Sequence, residues 1–251
     1  MAFIQFHFFS ESLGMQTEAY VIIPQRKTAG QIGVDTKSST EKYKCLYLLH
    51  GLSDDHTIWM RRTSIERYAE KYGICVVMPC AHRSFYCNMS CGLKYYDYIA
   101  EELPRVICEF FNVSDKREDN FVAGLSMGGY GALKLALREP QRFCAAAGLS
   151  SATDIKRPGR EDLTSKIFGE GSTVPDEDDL FYLADVCSKD QNKPKLFMAI
   201  GTEDFLYEEN VGLRDKLLSL GYDLEYTEEH GTHNWEFWDK HIRGALEWMF
   251  G

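Results

Sequence analysis

Short, mostly apolar segments recur along the chain and are separated by longer segments with helical periodicity. The apolar segments lie at residues 45–49, 74–79, 121–123, 143–149, 195–200 and 223–227. Continuous apolar runs of this length are typical of strands buried on both faces of a parallel sheet. We therefore predict that these segments form neighbouring strands of one sheet.

The intervening segments carry helix signals. Residues 63–72 begin with a Thr-x-x-Glu pattern at Thr63 and end before Gly73, which together predict a capping box and a helix stop. Further helices are predicted at residues 95–111, after residue 126, at 208–219 and at the C-terminus, where Trp235, Trp238, Ile242, Ala245 and Met249 fall on one face. Strands alternating with helices predict an α/β fold with a mostly parallel sheet and helices on both faces.

Three segments depart from the alternating pattern. Residues 3–9 and 16–23 flank Gly14 and predict an antiparallel N-terminal hairpin. Residues 25–44 are polar and predict a surface loop. Residues 151–190 are charged and rich in turn residues, and we expect a small lid-like insertion of short helices over one end of the sheet. No repeat or composition break divides the chain, so residues 1–251 are predicted to form a single domain.

Composition narrows the function classes. The chain has 251 residues, 44% of them hydrophobic, and a net charge of −10. The hydrophobic content is sufficient for a large core, and the negative charge disfavours nucleic acid and anionic membranes as partners. No apolar run approaches the roughly 20 residues of a membrane span. The N-terminus lacks a basic segment and a small-residue cleavage site, so we expect a cytoplasmic protein.

The cysteines point to a reducing compartment. Several of the eight, such as Cys75 and Cys144, lie within apolar segments and are expected to be small core residues. Cys80, Cys87 and Cys91 share one loop with His82, but no C-x-x-C spacing is present. We therefore expect no metal site and no cofactor.

A possible nucleophile lies where an apolar strand changes into a helix. Residues Gly124 to Gly128 read Gly-Leu-Ser-Met-Gly, the G-x-S-x-G pattern of the α/β-hydrolase nucleophile elbow. In that turn the serine hydroxyl is lifted clear of the sheet, and both glycines avoid collisions with neighbouring backbone. The pattern alone is also compatible with a glycine-rich turn that carries an inert serine; the preceding strand and the following helix favour Ser126 as nucleophile.

A serine nucleophile needs a base and an orienting acid. Candidates should follow strands, because the chemistry of such sheets lies beyond the carboxyl ends of the strands. His233 and His230 both follow the last strand, and we favour His233, which precedes the C-terminal helix. Asp204 directly follows residues 195–200 and is favoured over Asp154 and Glu203. We expect His7 and His241 to be structural, and Asp176, Asp178, Asp179 and Asp185 to be solvated.

The oxyanion of such a reaction requires two N–H donors. Met127 follows the nucleophile and supplies the first by geometry. The second is expected from the loop after residues 45–49, and Leu52 is the candidate. In both cases the backbone acts.

Together these motifs resemble the tributyrin esterase (esterase D-like) family of α/β-hydrolases, which is related to S-formylglutathione hydrolases and to feruloyl and acetyl-xylan esterases. The matching segments run through nearly the whole chain in family order: Leu48–Trp59, Glu101–Pro104, Ala123–Gly131, Gly201–Glu208 and Gly231–Trp235. The resemblance implies the α/β-hydrolase fold, the Ser126–His233–Asp204 triad, the Leu52 and Met127 oxyanion donors, and no metal or organic cofactor.

The resemblance also implies a serine carboxylesterase acting on small short-chain acyl esters. Alternatives are a feruloyl or acetyl-xylan esterase, an S-formylglutathione hydrolase, an acyltransferase, or a non-catalytic binding protein of the same fold. S-formylglutathione hydrolases usually read Ser-Gly-Leu-Thr-Cys in the oxyanion loop, where this chain reads His-Gly-Leu-Ser-Asp from His50 to Asp54. This difference disfavours the S-formylglutathione hydrolase alternative. The sequence leaves a homo-oligomer open.

Overall fold

The computed structural model describes residues 1–25 and 41–251. These residues form an eight-stranded sheet in the spatial order β1-β2-β4-β3-β5-β6-β7-β8. The pairs β1–β2 and β2–β4 are antiparallel, and every later pair is parallel. The mostly parallel sheet and the antiparallel N-terminal hairpin are thereby confirmed. The strands are β1 (Ala2–Ser10), β2 (Met15–Ile23), β3 (Cys45–Leu49), β4 (Cys75–Pro79), β5 (Asn120–Leu125), β6 (Ala145–Leu149), β7 (Lys195–Gly201) and β8 (Leu224–Glu229).

Helices cover both faces of the sheet, as predicted. Residues from α1, α2 and α9 pack with one set of strand side chains, and residues from α3 to α8 pack with the opposite set. The helices are α1 (Ile58–Arg62), α2 (Ile65–Tyr72), α3 (Tyr95–Asp97), α4 (Leu103–Phe110), α5 (Met127–Arg138), α6 (Glu161–Phe168), α7 (Leu180–Cys187), α8 (Tyr207–Ser219) and α9 (Trp235–Phe250). The central strands β3, β4, β5 and β6 are fully buried, which accounts for their apolar sequences.

The capping box predicted at Thr63 does not form. The Thr63 hydroxyl donates to the Trp59 carbonyl at 2.6 Å and accepts from the Ile65 N–H at 3.1 Å. Thr63 therefore ends α1, a helix that the sequence did not predict, and α2 begins two residues later. Strand β6 likewise begins at Ala145 instead of at residue 143. Residues 26–40 of the predicted loop at 25–44 lie outside the described residues.

A π-helical turn at Tyr98–Glu102 joins α3 to α4. Pro104 follows it as the second residue of α4. Proline has no N–H, and its ring collides with the carbonyl four residues earlier in a regular helix. A wider turn before Pro104 relieves this collision, so the helix predicted over 95–111 continues to Phe110 with a local irregularity.

The insertion at 151–190 is joined to α5 through a buried ion pair. Its short helices α6 and α7 are present as predicted, but Asp178 is not solvated as the sequence suggested. Asp178 is 5% exposed, and its carboxylate accepts from the fully buried ammonium of Lys134 on α5. The same ammonium donates to the Tyr86 carbonyl at 2.9 Å, and the Tyr130 hydroxyl donates to the Asp178 carbonyl. The insertion is thereby attached to the helix that follows Ser126.

We expect Asp178→Asn to lower the free energy of unfolding by about 3 kcal/mol, because it leaves the Lys134 ammonium buried without its counter-charge. Urea unfolding followed by circular dichroism measures this loss. The matched control is Asp162→Asn, which breaks a 2.6 Å Lys–Asp pair between exposed side chains of α6 and should leave stability almost unchanged. Equal effects of the two substitutions would contradict the prediction.

Candidate active site

Four strand ends meet at one edge of the sheet. Ser126 follows β5, Asp204 follows β7, His233 follows β8, and the loop of residues 50–56 follows β3. In the sheet order, β3 adjoins β5, and β7 adjoins β8. The parallel arrangement therefore brings chain segments more than 170 residues apart to the same edge.

Ser126 occupies a sharp turn between β5 and α5. Its backbone has φ 54° and ψ −118°, a conformation that non-glycine residues rarely adopt. The Ser126 N–H donates to the Leu149 carbonyl at 2.8 Å, and the Ala152 N–H donates to the Ser126 carbonyl at 3.1 Å. These bonds to the end of β6 and to the segment after it hold the unusual conformation in place.

The two glycines of the motif are required by close backbone contacts. A Cβ at Gly124 would lie 2.3 Å from the Gly128 carbonyl oxygen. A Cβ at Gly128 would lie 2.4 Å from the Leu49 carbonyl oxygen. In both cases the obstacle is backbone, which cannot move aside without displacing the turn or β3.

Ser126, His233 and Asp204 form a continuous chain of hydrogen bonds. His233 Nε2 lies 3.0 Å from Ser126 Oγ, and His233 Nδ1 lies 2.9 Å from Asp204 Oδ2. The Asp204 carboxylate is buried, and its Oδ1 accepts from the Leu206 N–H at 2.9 Å. An ionised carboxylate can only accept hydrogen bonds, so it selects the tautomer with a proton on Nδ1. Nε2 is then free to accept the serine proton.

His230 and Glu203, two of the competing candidates, pair with each other outside the Ser126–His233–Asp204 hydrogen bonds. His230 Nδ1 lies 2.6 Å from Glu203 Oε1, and the His230 side chain is 97% exposed. The Glu203 carboxylate also accepts from the Gly231 N–H at 2.7 Å. The hydrogen bond from the Gly231 N–H, and to a smaller extent the contact with His230, lowers the pKa of Glu203 to about 2. Asp154 accepts a local hydrogen bond from the Lys156 N–H.

The backbone N–H groups of Leu52 and Met127 make no hydrogen bond to another residue within ranges 1–25 and 41–251. Met127 is the first residue of α5, where helix N–H groups lack intrahelical acceptors. Leu52 lies in the 50–56 loop beside Gly51, where a Cβ would come 2.7 Å from the Leu125 side chain. Both donors are therefore available to a developing negative charge near Ser126.

His50 stabilises the loop that carries Leu52, a role that sequence reasoning missed. His50 Nδ1 donates to the Gly51 carbonyl at 2.7 Å, and Nε2 accepts from the Ala81 N–H at 2.9 Å. The Tyr86 hydroxyl donates to the His50 carbonyl at 2.9 Å. Burial lowers the pKa of His50 to about 4, so the ring is neutral at pH 7 and can accept from Ala81. The sequence signal for this role was the position of His50 directly after an apolar strand.

A cavity of about 710 Å³ adjoins the 50–56 loop. Its lining combines the side chains of Leu52, Met15 and Met89 with the charged Arg83. On the other side of the site, the Phe205 ring lies 4.6 Å from the His233 ring and is 67% exposed. The two sides of the site therefore present apolar surface, and the cavity lining adds two charged side chains of opposite sign, Arg83 and Asp54.

Residues 10–249 match the family model Esterase, described as "Putative esterase". The chain belongs to the Esterase family. This esterase is 33% identical over 263 residues to an acetyl esterase of Caldicellulosiruptor saccharolyticus, across 99% of this chain and 98% of that protein.

Two solved structures from Staphylococcus aureus are also similar to the esterase. One is FphF, the fluorophosphonate-binding serine hydrolase F, with a TM-score of 0.89 and 36% identity over 100% of this chain and 98% of the other. The other is the S-formylglutathione hydrolase FrmB, with a TM-score of 0.86 and 36% identity over 100% and 99% of the chains. The predicted family and α/β-hydrolase fold are confirmed, and the protein is a carboxylic ester hydrolase. None of the helices in the described residues has the length and apolar character to cross a membrane.

Gly124→Ala should lower the free energy of unfolding by at least about 2 kcal/mol and displace the Ser126 turn, because the new Cβ meets backbone. Differential scanning calorimetry measures the loss of stability, and p-nitrophenyl acetate hydrolysis reports the displacement of the Ser126 turn. In the control Gly244→Ala, the nearest atom to the new Cβ is the far end of the Phe197 ring at 3.9 Å. Because Gly244 lies inside α9, alanine there should instead stabilise by about 0.5–1 kcal/mol. Similar losses at both positions would refute the steric account.

His50 should make stability depend on pH. Its folded-state pKa of about 4 lies below the ordinary value of 6.5, so the unfolded chain binds more protons between these values. The contribution of His50 to the free energy of unfolding is therefore fully present above pH 6.5 and is lost as the pH falls towards 4. Between pH 7 and pH 5 the loss is about 2 kcal/mol. Urea unfolding across this range should show a shallower pH dependence for His50→Gln. Parallel curves for the variant and the wild type would contradict the assignment.

Proposed function

We propose that this esterase hydrolyses short-chain acyl esters through an acyl-enzyme formed on Ser126. The observation that carries the proposal is the unbroken hydrogen-bond chain from Ser126 Oγ through His233 to the buried Asp204 carboxylate. A serine hydroxyl is a poor nucleophile until a neighbouring base takes its proton. His233 Nε2 is at the distance that this transfer requires.

In the first half of the proposed reaction, Ser126 Oγ attacks the ester carbonyl while His233 accepts the serine proton. The Leu52 and Met127 N–H groups bind the resulting oxyanion, and loss of one such donor costs about 3–4 kcal/mol. His233 then donates its proton to the departing alcohol, which leaves an acyl group on Ser126. In the second half, His233 activates a water molecule that releases the acid.

Asp204 acts through His233 in this proposal. Its carboxylate is buried, so its negative charge stabilises the imidazolium that forms when His233 accepts the serine proton. The Leu206 N–H and the His233 ring hold the two carboxylate oxygens in place. Glu203, which adjoins Asp204, is directed to His230 and Gly231 instead.

The preference for short acyl groups is supported by the similarity to an acetyl esterase across nearly the full length of both proteins. Thioester hydrolysis is a second candidate, because the similar FrmB structure is named as an S-formylglutathione hydrolase. The cavity beside Leu52 supports this candidate, since glutathione carries carboxylates and an ammonium group, and the lining offers both a guanidinium, Arg83, and a carboxylate, Asp54.

Replacing Ser126 or His233 with alanine should lower kcat for p-nitrophenyl acetate by about 10⁴–10⁶-fold, because the nucleophile or its base is lost. The matched control is His230→Ala, which removes the other histidine after β8 and should leave kcat within about threefold of wild type. A fluorophosphonate probe should label the wild type at Ser126 and not the Ser126→Ala variant. Retained activity in Ser126→Ala would end the proposal.

The same assay separates the substrate classes. Wild-type kcat/KM should be higher for p-nitrophenyl acetate and butyrate than for the octanoate. S-formylglutathione, tested in parallel, distinguishes an oxygen-ester preference from a thioester preference. A preference for the octanoate would contradict the short-chain proposal while leaving the role of Ser126 intact.

A further inference from the structure

A second cluster of reactive side chains lies behind the 50–56 loop. It consists of Glu18 on β2, His56 at the end of the loop and Cys80 directly after β4. One ligand-type atom from each residue lies within 4.8 Å of the other two. Neighbouring strands bring them together, since the Cys80 N–H donates to the Glu18 carbonyl at 3.1 Å.

His56 is the member of the cluster that most needs a partner. It is 7% exposed, and its Nδ1 makes no hydrogen bond to any residue in the described part of the chain. That nitrogen lies 3.4 Å from Glu18 Oε1, close enough for attraction but without the geometry of a hydrogen bond. A buried polar atom without a partner costs free energy, so the site favours a ligand that this nitrogen can bind.

The donor set suits one class of ligand. A thiol sulfur, an imidazole nitrogen and a carboxylate oxygen are the three atom types that Zn²⁺ binds in proteins, at about 2.0–2.3 Å. Ligand atoms around a tetrahedral ion lie roughly 3.3–3.8 Å apart, so modest side-chain movement closes this cluster around one ion. His82 adjoins the cluster, with both of its ring nitrogens 3.8 Å from Cys80 Sγ.

We propose that Glu18, His56 and Cys80 form a binding site for a zinc-type divalent cation, which ties the 50–56 loop to the adjoining edge of the sheet. The sequence spacing of Cys80, Cys87 and Cys91 had argued against a metal. The structure separates these cysteines: Cys87 is buried beside Lys134, and Cys91 is exposed.

Burial acts on both the imidazole and the thiol of the cluster. Burial lowers the pKa of His56, which keeps the imidazole in the neutral form that coordinates metals. Burial raises the pKa of the Cys80 thiol, so the thiol keeps its proton until an ion displaces it. Metal binding would displace the thiol proton to solvent, so affinity should increase with pH.

The test uses the full chain, freed of metal by a chelator and then titrated with Co²⁺ and Zn²⁺. Co²⁺ should give the near-ultraviolet thiolate charge-transfer band, and Zn²⁺ should remove it by competition at a stoichiometry of one per chain. Excess Zn²⁺ should raise the melting temperature by on the order of 5 °C. Cys80→Ser should abolish the thiolate band, whereas Cys91→Ser, which removes an exposed cysteine outside the cluster, should retain it.

Two further variants keep the outcome decisive. Glu18→Gln, at a half-exposed strand position, and His56→Gln should each weaken Zn²⁺ binding about tenfold or more. Circular dichroism verifies that each variant is folded. No stoichiometric binding to the wild type, or a thiolate band that Cys80→Ser leaves unchanged, would overturn the proposal. Ion binding at His233 would be recognised because it gives no thiolate band.

Discussion

The site of this esterase depends on how closely the backbone packs where β5 turns into α5. The Gly124 and Gly128 positions leave no room for a Cβ against the neighbouring carbonyl groups. At this contact Ser126 adopts an unusual backbone conformation, and α5 begins at the next residue and packs against the sheet. Because the obstacles are backbone atoms of the same turn and of β3, the position of the hydroxyl is coupled to the central strands.

The same strand ends provide rigid support for the groups around Ser126. The 50–56 loop is held by the neutral, buried His50 ring and by the Tyr86 hydroxyl, which link it to the segment after β4. On the other side, the buried Asp204 carboxylate is held by the Leu206 N–H and by His233. Groups held in this way need little rearrangement when charge develops during a reaction, which is the physical basis of electrostatic preorganisation.

The group that each carboxylate contacts explains why some carboxylates are structural and others are candidates for chemistry. Asp178 is as buried as Asp204, but its partner is the Lys134 ammonium, which neutralises it and attaches the insertion to α5. Glu203 is exposed and pairs with His230. Asp204 is the carboxylate whose partner also contacts a serine. Burial alone therefore does not distinguish Asp204 from Asp178, whereas the partner of each acid does.

The sequence by itself determined the strand and helix order, the parallel sheet and the residues that follow each strand, because these depend on local periodicity and on glycine sterics. It missed α1, a five-residue helix that ends in local hydrogen bonds of the Thr63 hydroxyl. It also missed the burial of Asp178, because the Lys134 ammonium meets that carboxylate only when segments distant in sequence pack together. Tertiary structure alone decided the support given by His50 and the grouping of Glu18, His56 and Cys80. These contacts join residues from separate strands, and the pairing of those strands is a property of the folded sheet.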